Sequence, residues 1–403
     1  MKYALILGDG MADLPIAELG NKTPLEVSNK PYMDMLAKSS RIGIVKTIPD
    51  GFKPGSDTAN LSVLGYAPDK YYTGRSPLEA VSLGVKMEDD DIAIRCNLVT
   101  LSDEDNYEDK TMVDYSSGEI STEESTELIN YLEANLGCNE FHFYPGISYR
   151  HCLIIKHSST GTDFTPPHDI SKKPIKTHLP KDKDMEFYLE LQKKSYELLK
   201  DHPINKKRIA EGKNPANSIW LWGEGTKPIL DKFEDKFGLK GAMVCAVDLL
   251  KGIAISAGLN LYEVEGATGG VVTNFLGKGK TALKALQDGN DFVYVHIEAP
   301  DESGHQGNIK AKINAIQEID KNIVGTLFNG LLKSGEDFAI MILPDHPTPI
   351  ATMTHSSNPV PFMIYSNQVD YEGKDMYCEK TAAETNDFVS VGSDLIKEFI
   401  ATK

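Results

Sequence analysis

The chain has 403 residues, 40% of them hydrophobic and 25% charged, with 59 acidic and 42 basic side chains and a formal charge of −17. This length predicts about two domains with a sizeable core, and the composition excludes a disordered chain. The acidic balance argues against nucleic-acid partners and against docking on anionic membranes, which both need basic surfaces.

The N-terminal apolar run Tyr3–Leu7 is too short for a signal peptide or a membrane-spanning helix. The five cysteines are scattered and include no CxxC pair. Such usage is typical of free thiols in a reducing compartment rather than of disulfides or a thiolate zinc site. We therefore predict a soluble cytoplasmic protein, and by default an enzyme.

Short, continuous apolar runs recur along the chain and predict buried strands. They are Tyr3–Leu7, Ile42–Val45, Ile219–Trp222, Phe292–Ile297 and Phe338–Leu343. Continuous runs are typical of a parallel sheet that is covered on both faces. Helical periodicity between the strands, clearest at 123–136 and 310–331, completes the pattern of a doubly wound α/β fold.

The middle of the chain differs from its ends in charge. Residues 88–140 contain 16 acidic and two basic side chains, whereas residues 150–213 contain 14 basic and nine acidic ones. A proline-containing polar stretch, 157–184, is expected to be rich in loops. This change in charge composition favours a domain inserted into a split domain. The alternative is a large region of loops that belongs to the same domain.

Carboxylates and imidazoles directly follow three of the predicted strands. In open α/β sheets, ligands bind beyond the carboxyl ends of the strands, where such side chains would converge on a divalent metal. Singly, each residue is better explained as a cap or a structural hydrogen-bonding group, so the prediction depends on their conjunction. The candidates, enough for two ions, are Asp9, Asp301, His305, Asp345, His346 and His355.

A nucleophile candidate lies in the segment 53–61, which reads KPGSDTANL. The Pro-Gly turn before Ser56 and the helical pattern after it predict a helix N-terminus at this serine, where backbone N–H groups favour a phosphate. The alternative is that Ser56 only caps the helix. A serine hydroxyl beside a divalent metal would be activated as a nucleophile.

Residues 279–281 imitate the end of a phosphate-binding P-loop. The position five residues before Gly279 is Asn274 and not glycine, so the GxxxxGK[ST] spacing fails. Lys278 and Lys280 are instead predicted to lie at the start of a surface helix. The sequence therefore supports neither a P-loop nor a dinucleotide site.

Taken together, these motifs resemble cofactor-independent phosphoglycerate mutases, and most closely their shorter archaeal-type branch within the alkaline phosphatase superfamily. The resemblance spans essentially the whole chain. Its motifs are Gly8-Asp9-Gly10, Pro54–Asn60, Lys70–Arg75, Arg95–Leu98, Ser148–His151, Pro166–Asp169, Ala299–His305, Pro344–His346 and Thr354-His355.

The resemblance implies a three-layer αβα alkaline-phosphatase-like core, formed by residues 1–86 and 191–403, with a smaller α+β lid inserted at 87–190. It implies two divalent ions (manganese, magnesium or zinc) and no 2,3-bisphosphoglycerate. Asp9, Ser56, Asp345 and His346 would hold one ion, with Ser56 also the nucleophile. Asp301, His305 and His355 would hold the other.

The implied substrate is a small phosphorylated compound, 3- or 2-phosphoglycerate. The residues matched to its phosphate and carboxylate are Arg75, Arg95, Asn97, Arg150, His151 and Lys251. Segments 8–13 and 46–51 are also similar to a bacterial subgroup proposed to act as a homoserine kinase, which keeps that activity as the alternative. A phosphatase-like fold serving only as a binding protein is a third interpretation, and homo-oligomerisation stays open.

Overall fold

The computed structural model describes residues 1–402. They form two compact units, the first comprising residues 1–72 with the chain from Ile229 onward, the second comprising residues 73–228. Segment 87–190, which the resemblance marks as an insert, lies within the second unit.

The strands in chain order are β1 (Lys2–Gly8), β2 (Ser40–Val45), β3 (Ile92–Leu101), β4 (Met112–Asp114), β5 (Phe141–Tyr144), β6 (Arg150–Ile155), β7 (Thr162–Asp163), β8 (Lys181–Asp182), β9 (Ser218–Thr226), β10 (Gly241–Val244), β11 (Asn260–Leu261), β12 (Phe292–Ile297), β13 (Phe338–Leu343), β14 (Val360–Ser366) and β15 (Phe388–Val389).

The helices are α1 (Pro24–Val27), α2 (Pro31–Ala37), α3 (Ser56–Val63), α4 (Pro68–Tyr71), α5 (Arg75–Ser82), α6 (Thr122–Leu136), α7 (Met185–Leu199), α8 (Pro203–Ala210), α9 (Phe233–Phe237), α10 (Asp248–Ala257), α11 (Phe275–Gln287), α12 (Ala299–His305), α13 (Ile309–Ile319), α14 (Gly325–Ser334), α15 (Glu379–Ala383) and α16 (Leu395–Ile400). Throughout residues 1–402, every helix is too short or too polar to cross a bilayer.

The sheet of the first unit has the strand order β11-β10-β12-β1-β13-β14-β2-β15. Strand β1 lies between β12 and β13 and is parallel to both, with Leu7 opposite His296 on one side and Leu343 on the other. Three parallel strands therefore end side by side at one edge. This register brings together the three segments in which the sequence predicts metal ligands.

Helices cover both faces of this sheet, as expected for its continuous apolar strands. On one face, Ala4 and Ile6 belong to a buried cluster with residues of α11, α13 and α14. On the other face, the ring of Tyr3 packs against Phe399 of α16 at 5.5 Å between centroids. The fold is therefore mixed α/β with helices on both sides of a mainly parallel sheet.

The predicted helix 310–331 is divided in the structure. Helices α13 and α14 are joined by a π-helical turn at Asp320–Val324. The Asp320 carboxylate accepts hydrogen bonds from the backbone N–H groups of Met33 (2.7 Å) and Tyr32 (3.2 Å), at the start of α2. The apolar periodicity continues through such a turn, so it gives no indication of the interruption.

The second unit contains an antiparallel sheet built around β3, which pairs with β6 and β9. The predicted strand Ile219–Trp222 forms, but it lies in β9 of this antiparallel sheet and not in the parallel one. The predicted strand at 42–45 forms as β2 and runs in the same direction as β1 and β13, because the strand between β13 and β2, β14, is antiparallel to both. A strand buried on both faces is apolar throughout in either orientation, so the run itself carries no information on direction.

Candidate active site

The loop after β1 enters the site through a tight turn. Asp9 extends the strand pairing, since its backbone N–H donates to Ile297 O at 2.9 Å. Gly10 has a φ of +58°, and a Cβ at this position would lie 2.5 Å from Thr348 Oγ1 and 2.6 Å from Asp301 Oδ1. Only glycine fits both the left-handed conformation and this close approach.

The first cluster of candidate ligands brings Ser56 to the ends of β1 and β13. His346 Nε2 lies 3.2 Å from Ser56 Oγ, 3.6 Å from Asp9 Oδ1 and 3.4 Å from Asp345 Oδ2. All four residues are buried, and Ser56 is the most accessible of them. Four side chains from segments far apart in sequence thus point at one small volume.

The Asp345 carboxylate is held in place from three sides. Its Oδ1 accepts the backbone N–H groups of Gly10 (3.0 Å) and His346 (2.8 Å), and its Oδ2 accepts Asn60 Nδ2 (2.9 Å). Asn60 also donates to the Ser56 carbonyl at 2.8 Å, one turn earlier on α3. This amide therefore fixes the serine helix relative to the end of β13.

The second cluster combines Asp301 and His305, one turn apart on α12, with His355. Asp301 Oδ2 lies 3.2 Å from His305 Nε2, and Asp301 Oδ1 lies 3.4 Å from His355 Nε2. The Nδ1–H of His305 donates to the Met353 carbonyl at 3.0 Å, which leaves Nε2 as the ring nitrogen available to a ligand. His355 also stacks on His346 at 4.2 Å between centroids and so connects the two clusters.

The electrostatics of the first cluster favour a bound cation. Burial raises the pKa of Asp9 well above its ordinary value, and the nearby charges of Asp345, Glu298 and Asp301 raise it further. Burial would also raise the pKa of Asp301, but its hydrogen bonds with His305 and His355 hold it well below the ordinary range. A cation at the first cluster would remove the repulsion between its carboxylates.

The donor atoms fit a divalent metal by type and spacing. Asp9 Oδ1 is buried and has no hydrogen-bond partner in the described residues. Three sets of donors each lie within 4.8 Å of one another, and they are Asp9 with Asp345 and His346, Asp301 with His346 and His355, and Asp9 with His296 and Glu298. Mixed carboxylate and imidazole donors suit manganese, magnesium or zinc.

Ser56 is the first residue of α3, and the N-cap position belongs to Gly55, with no side-chain capping hydrogen bond. The alternative in which Ser56 serves as the cap is therefore wrong. Its side chain instead contacts His346, as described above. The N-terminal end of α3 places a positive dipole end beside the serine hydroxyl.

Two of the predicted substrate-binding arginines lie around one partly buried carboxylate in the second unit. Glu79 accepts Arg75 Nε at 2.8 Å and lies 3.1 Å from Arg95 Nε. Burial would raise the pKa of Glu79, but Arg95, Arg75 and Arg150 lower it below its ordinary value. The Arg95 guanidinium stacks over the Trp222 ring at 4.2 Å. Three cationic side chains thus lie near this one carboxylate.

The other predicted substrate residues differ in their surroundings. The amide of Asn97 is used within the fold, since its Oδ1 accepts Trp222 Nε1 at 3.0 Å. His151 is buried, its Nδ1 accepts the Gly146 N–H at 3.0 Å, and its Nε2 has no partner in the described residues. Burial lowers the pKa of His151 to about 3, so the ring is neutral. Lys251 lies on α10 in the first unit, 3.7 Å from Glu263.

Sequence reasoning missed several residues of the site. Asn60 carried a usable signal, because it is four residues after Ser56 and so on the same face of the helix. His296 was hidden inside an apolar strand, although a polar residue in a buried strand is itself informative. The prediction that places Lys278 on a surface helix is wrong, because this residue is 1% exposed and its Nζ donates to the His296 carbonyl at 2.9 Å.

A buried serine at a helix N-terminus, facing carboxylates and imidazoles at the carboxyl edge of a parallel sheet, is an arrangement typical of α/β enzymes that use a hydroxyl nucleophile. Comparison with known proteins identifies the family within that class. The model of the 2,3-bisphosphoglycerate-independent phosphoglycerate mutase family matches residues 37–205. The chain belongs to this family, as its relatives demonstrate.

The 2,3-bisphosphoglycerate-independent phosphoglycerate mutase of Methanosarcina barkeri is 48% identical over 405 residues, covering 100% of both chains. A solved structure from Pyrococcus horikoshii is 32% identical, with a TM-score of 0.82 over 99% of this chain and 96% of that one. The cofactor-independent phosphoglycerate mutase from Thermoplasma acidophilum is 26% identical, with a TM-score of 0.66 over 99% of both chains.

Proposed function

We propose that this protein interconverts 3-phosphoglycerate and 2-phosphoglycerate through a phosphoserine at Ser56, without 2,3-bisphosphoglycerate. The observation that carries the proposal is the 3.2 Å approach of Ser56 Oγ to His346 Nε2 among buried ligand-type side chains. Family membership supports it, since the Methanosarcina barkeri relative carries the mutase name and is matched over its whole length. Apart from the similarity of segments 8–13 and 46–51 described above, no observation on residues 1–402 favours the homoserine kinase alternative.

We further propose that Asp9, Ser56, Asp345 and His346 hold one divalent ion, and that Asp301, His305 and His355 hold a second. The orphaned Asp9 Oδ1 and the spacing of the donors support this assignment. When bound, such ions lower the pKa of a serine hydroxyl and neutralise charge on the transferring phosphoryl oxygens.

The chain's own residues orient the transfer. Ser56 Oγ attacks phosphorus in line as the bond from phosphorus to the substrate's own oxygen breaks, and the departing glycerate oxygen takes up the proton that the serine loses. The N-terminal end of α3 favours the phosphoryl oxygens through its dipole. Asn60 holds the serine main chain, and its own amide is fixed by Tyr294, whose hydroxyl donates to Asn60 Oδ1 at 2.5 Å. The glycerate then turns, and its other hydroxyl takes the phosphoryl group back from Ser56.

The anionic groups of the substrate need cationic partners, and we propose Arg75, Arg95 and Arg150 for this role. The carboxylate of Glu79 pairs with Arg75 and Arg95 and keeps these two side chains oriented, and Arg150 is close enough to lower the pKa of Glu79. Guanidinium groups bind phosphate and carboxylate through paired N–H donors. Asn97, His151 and Lys251 stay predicted substrate contacts, with His151 offering an unpartnered ring nitrogen.

The activity is tested by coupling the purified, manganese-supplied protein to enolase with 3-phosphoglycerate as substrate and no added 2,3-bisphosphoglycerate. We expect turnover in this assay and none in a parallel assay with homoserine and ATP. Turnover of homoserine alone would replace the proposed substrate while keeping the phosphoryl-transfer site. Inactivity in both assays with a metal-loaded protein would contradict the proposal.

Arg95→Gln tests the role of the arginines. We expect KM for 3-phosphoglycerate to rise by about 10- to 100-fold, because a hydrogen bond between charged groups contributes roughly 1.5–3 kcal/mol. The matched control is Lys227→Gln, which removes a cation of the same unit that pairs with the exposed Asp89. Equal KM values for both variants and the unmodified protein would remove Arg95 from the proposed site.

A further inference from the structure

His296 is a buried polar residue to which the proposed mechanism gives no role. It lies on β12 beside β1, opposite Leu7, and its exposed fraction is 0%. Its Nε2 is 2.8 Å from Asp9 Oδ2, and its Nδ1 has no partner among residues 1–402. When a bound cation keeps Asp9 ionised, its carboxylate only accepts hydrogen bonds, so the proton of the neutral His296 ring belongs on Nε2 and is donated to Asp9.

The two oxygens of Asp9 consequently have different surroundings. Oδ2 accepts the His296 hydrogen bond, whereas Oδ1 has no hydrogen-bond partner and lies 3.6 Å from His346 Nε2. A carboxylate fixed through one oxygen cannot rotate freely about its last torsion. The hydrogen bond thus determines which oxygen faces Asp345 and His346.

His296 is itself held by a buried cation. Lys278, on α11, donates from Nζ to the His296 carbonyl at 2.9 Å and is 1% exposed. This contact anchors the end of β12 at the residue that reaches Asp9. The Lys278 ammonium group also interacts with the charge of Glu298. Its positive charge opposes the binding of a further cation between Asp9, His296 and Glu298.

We propose that His296 is a positioning residue, which holds Asp9 Oδ2 so that Oδ1 is presented to the ion of the first cluster. The inference rests on the proposed function, because it assumes a divalent ion held by Asp9, Asp345 and His346. Hydrogen bonds that orient the ligands of a metal commonly change its affinity by about 10- to 100-fold. His296 is therefore expected to control one of the two ions and not the other.

The experiment is a manganese titration of the metal-free protein, followed by calorimetry, for the unmodified chain, His296→Leu and His296→Gln. We expect two ions in the unmodified protein. In His296→Leu one ion should bind about 10- to 100-fold more weakly, with the other unchanged. His296→Gln keeps an N–H donor near the position of Nε2, so it should restore most of the lost affinity.

Two further measurements separate a positioning role from a structural one. The control variant His202→Leu removes another buried histidine, which accepts the Ile204 N–H at the start of α8, and should leave both affinities unchanged. The Tm of the metal-free proteins reports on folding alone. The inference would be overturned if His296→Leu bound both ions equally more weakly and had a lower Tm, and if His296→Gln did not restore the affinity.

The remaining outcomes distinguish this inference from the proposed function. An unmodified protein that binds no manganese would overturn the proposed metal-dependent function itself. Two-site binding that His296→Leu leaves unchanged would overturn only the positioning role. Three ions in the unmodified protein and two in His296→Leu would make His296 a ligand, which also overturns it.

Discussion

Replacing Ser56 by alanine abolishes interconversion of the two phosphoglycerates, with a loss in kcat of roughly 10⁴-fold or more, as for other enzymes that lose their nucleophile. The physical reason is that the variant has no hydroxyl beside His346 to accept the phosphoryl group. Folding should change little, because the substitution removes one hydroxyl contact, which contributes about 1 kcal/mol. The measurement is the enolase-coupled assay, with metal content determined on the same samples.

The control for this variant is Ser62→Ala, a buried serine later in the same helix. It should keep activity and metal content near those of the unmodified protein. Mass spectrometry of samples quenched during turnover should detect one added phosphoryl group on the peptide that contains Ser56, and none in Ser56→Ala. Undiminished mutase activity in Ser56→Ala would contradict the phosphoserine mechanism.

Removal of divalent metal by a chelator should reduce turnover below detection, and addition of manganese, magnesium or zinc should restore it. Without a cation, the Ser56 hydroxyl keeps its ordinary high pKa and is a weak nucleophile at neutral pH. The same treatment should lower the Tm, because a ligand present at 1,000 times its Kd stabilises the folded state by about 4 kcal/mol.

The loss of stability has a specific origin in the first cluster. Asp9 and Asp345 are both buried, and the pKa of Asp9 is raised by burial and by its acidic neighbours. Activity and Tm should therefore recover together as metal is returned. Full activity in protein that elemental analysis finds free of metal would contradict the assignment of the ligands.

Much of the candidate site could be predicted because its residues are close in sequence. Asp345 and His346 are adjacent, and Asp301 and His305 are one helical turn apart on α12. Each pair follows an apolar strand whose burial the hydrophobic run itself indicates. Parallel strands bring their carboxyl ends to one edge, so the convergence of these pairs follows from the fold class.

The network behind the ligands could not be predicted in this way. Lys312, on α13, donates from Nζ to Ala12 O (3.1 Å), Asp13 Oδ2 (2.7 Å) and Thr348 O (2.8 Å). The Thr348 hydroxyl in turn donates to Asp301. In sequence, Lys312 is one polar residue of an amphipathic helix, and nothing local distinguishes it from Lys310, the exposed lysine of the same helix.

The sequence by itself determined the α/β class, the main buried strands, the serine at a helix start and the family, because these depend on local hydrophobic runs, turns and motif spacing. Only the tertiary structure decided the direction of β14 and β9, the π-helical turn at Asp320, and the contacts of Lys278, His296 and Lys312 with the site. Those features depend on the order of strands and on packing between residues of different elements, many of them hundreds of positions apart. Local composition does not indicate such contacts. A single lysine or histidine in the sequence acquires its partners only when the surrounding elements pack around it.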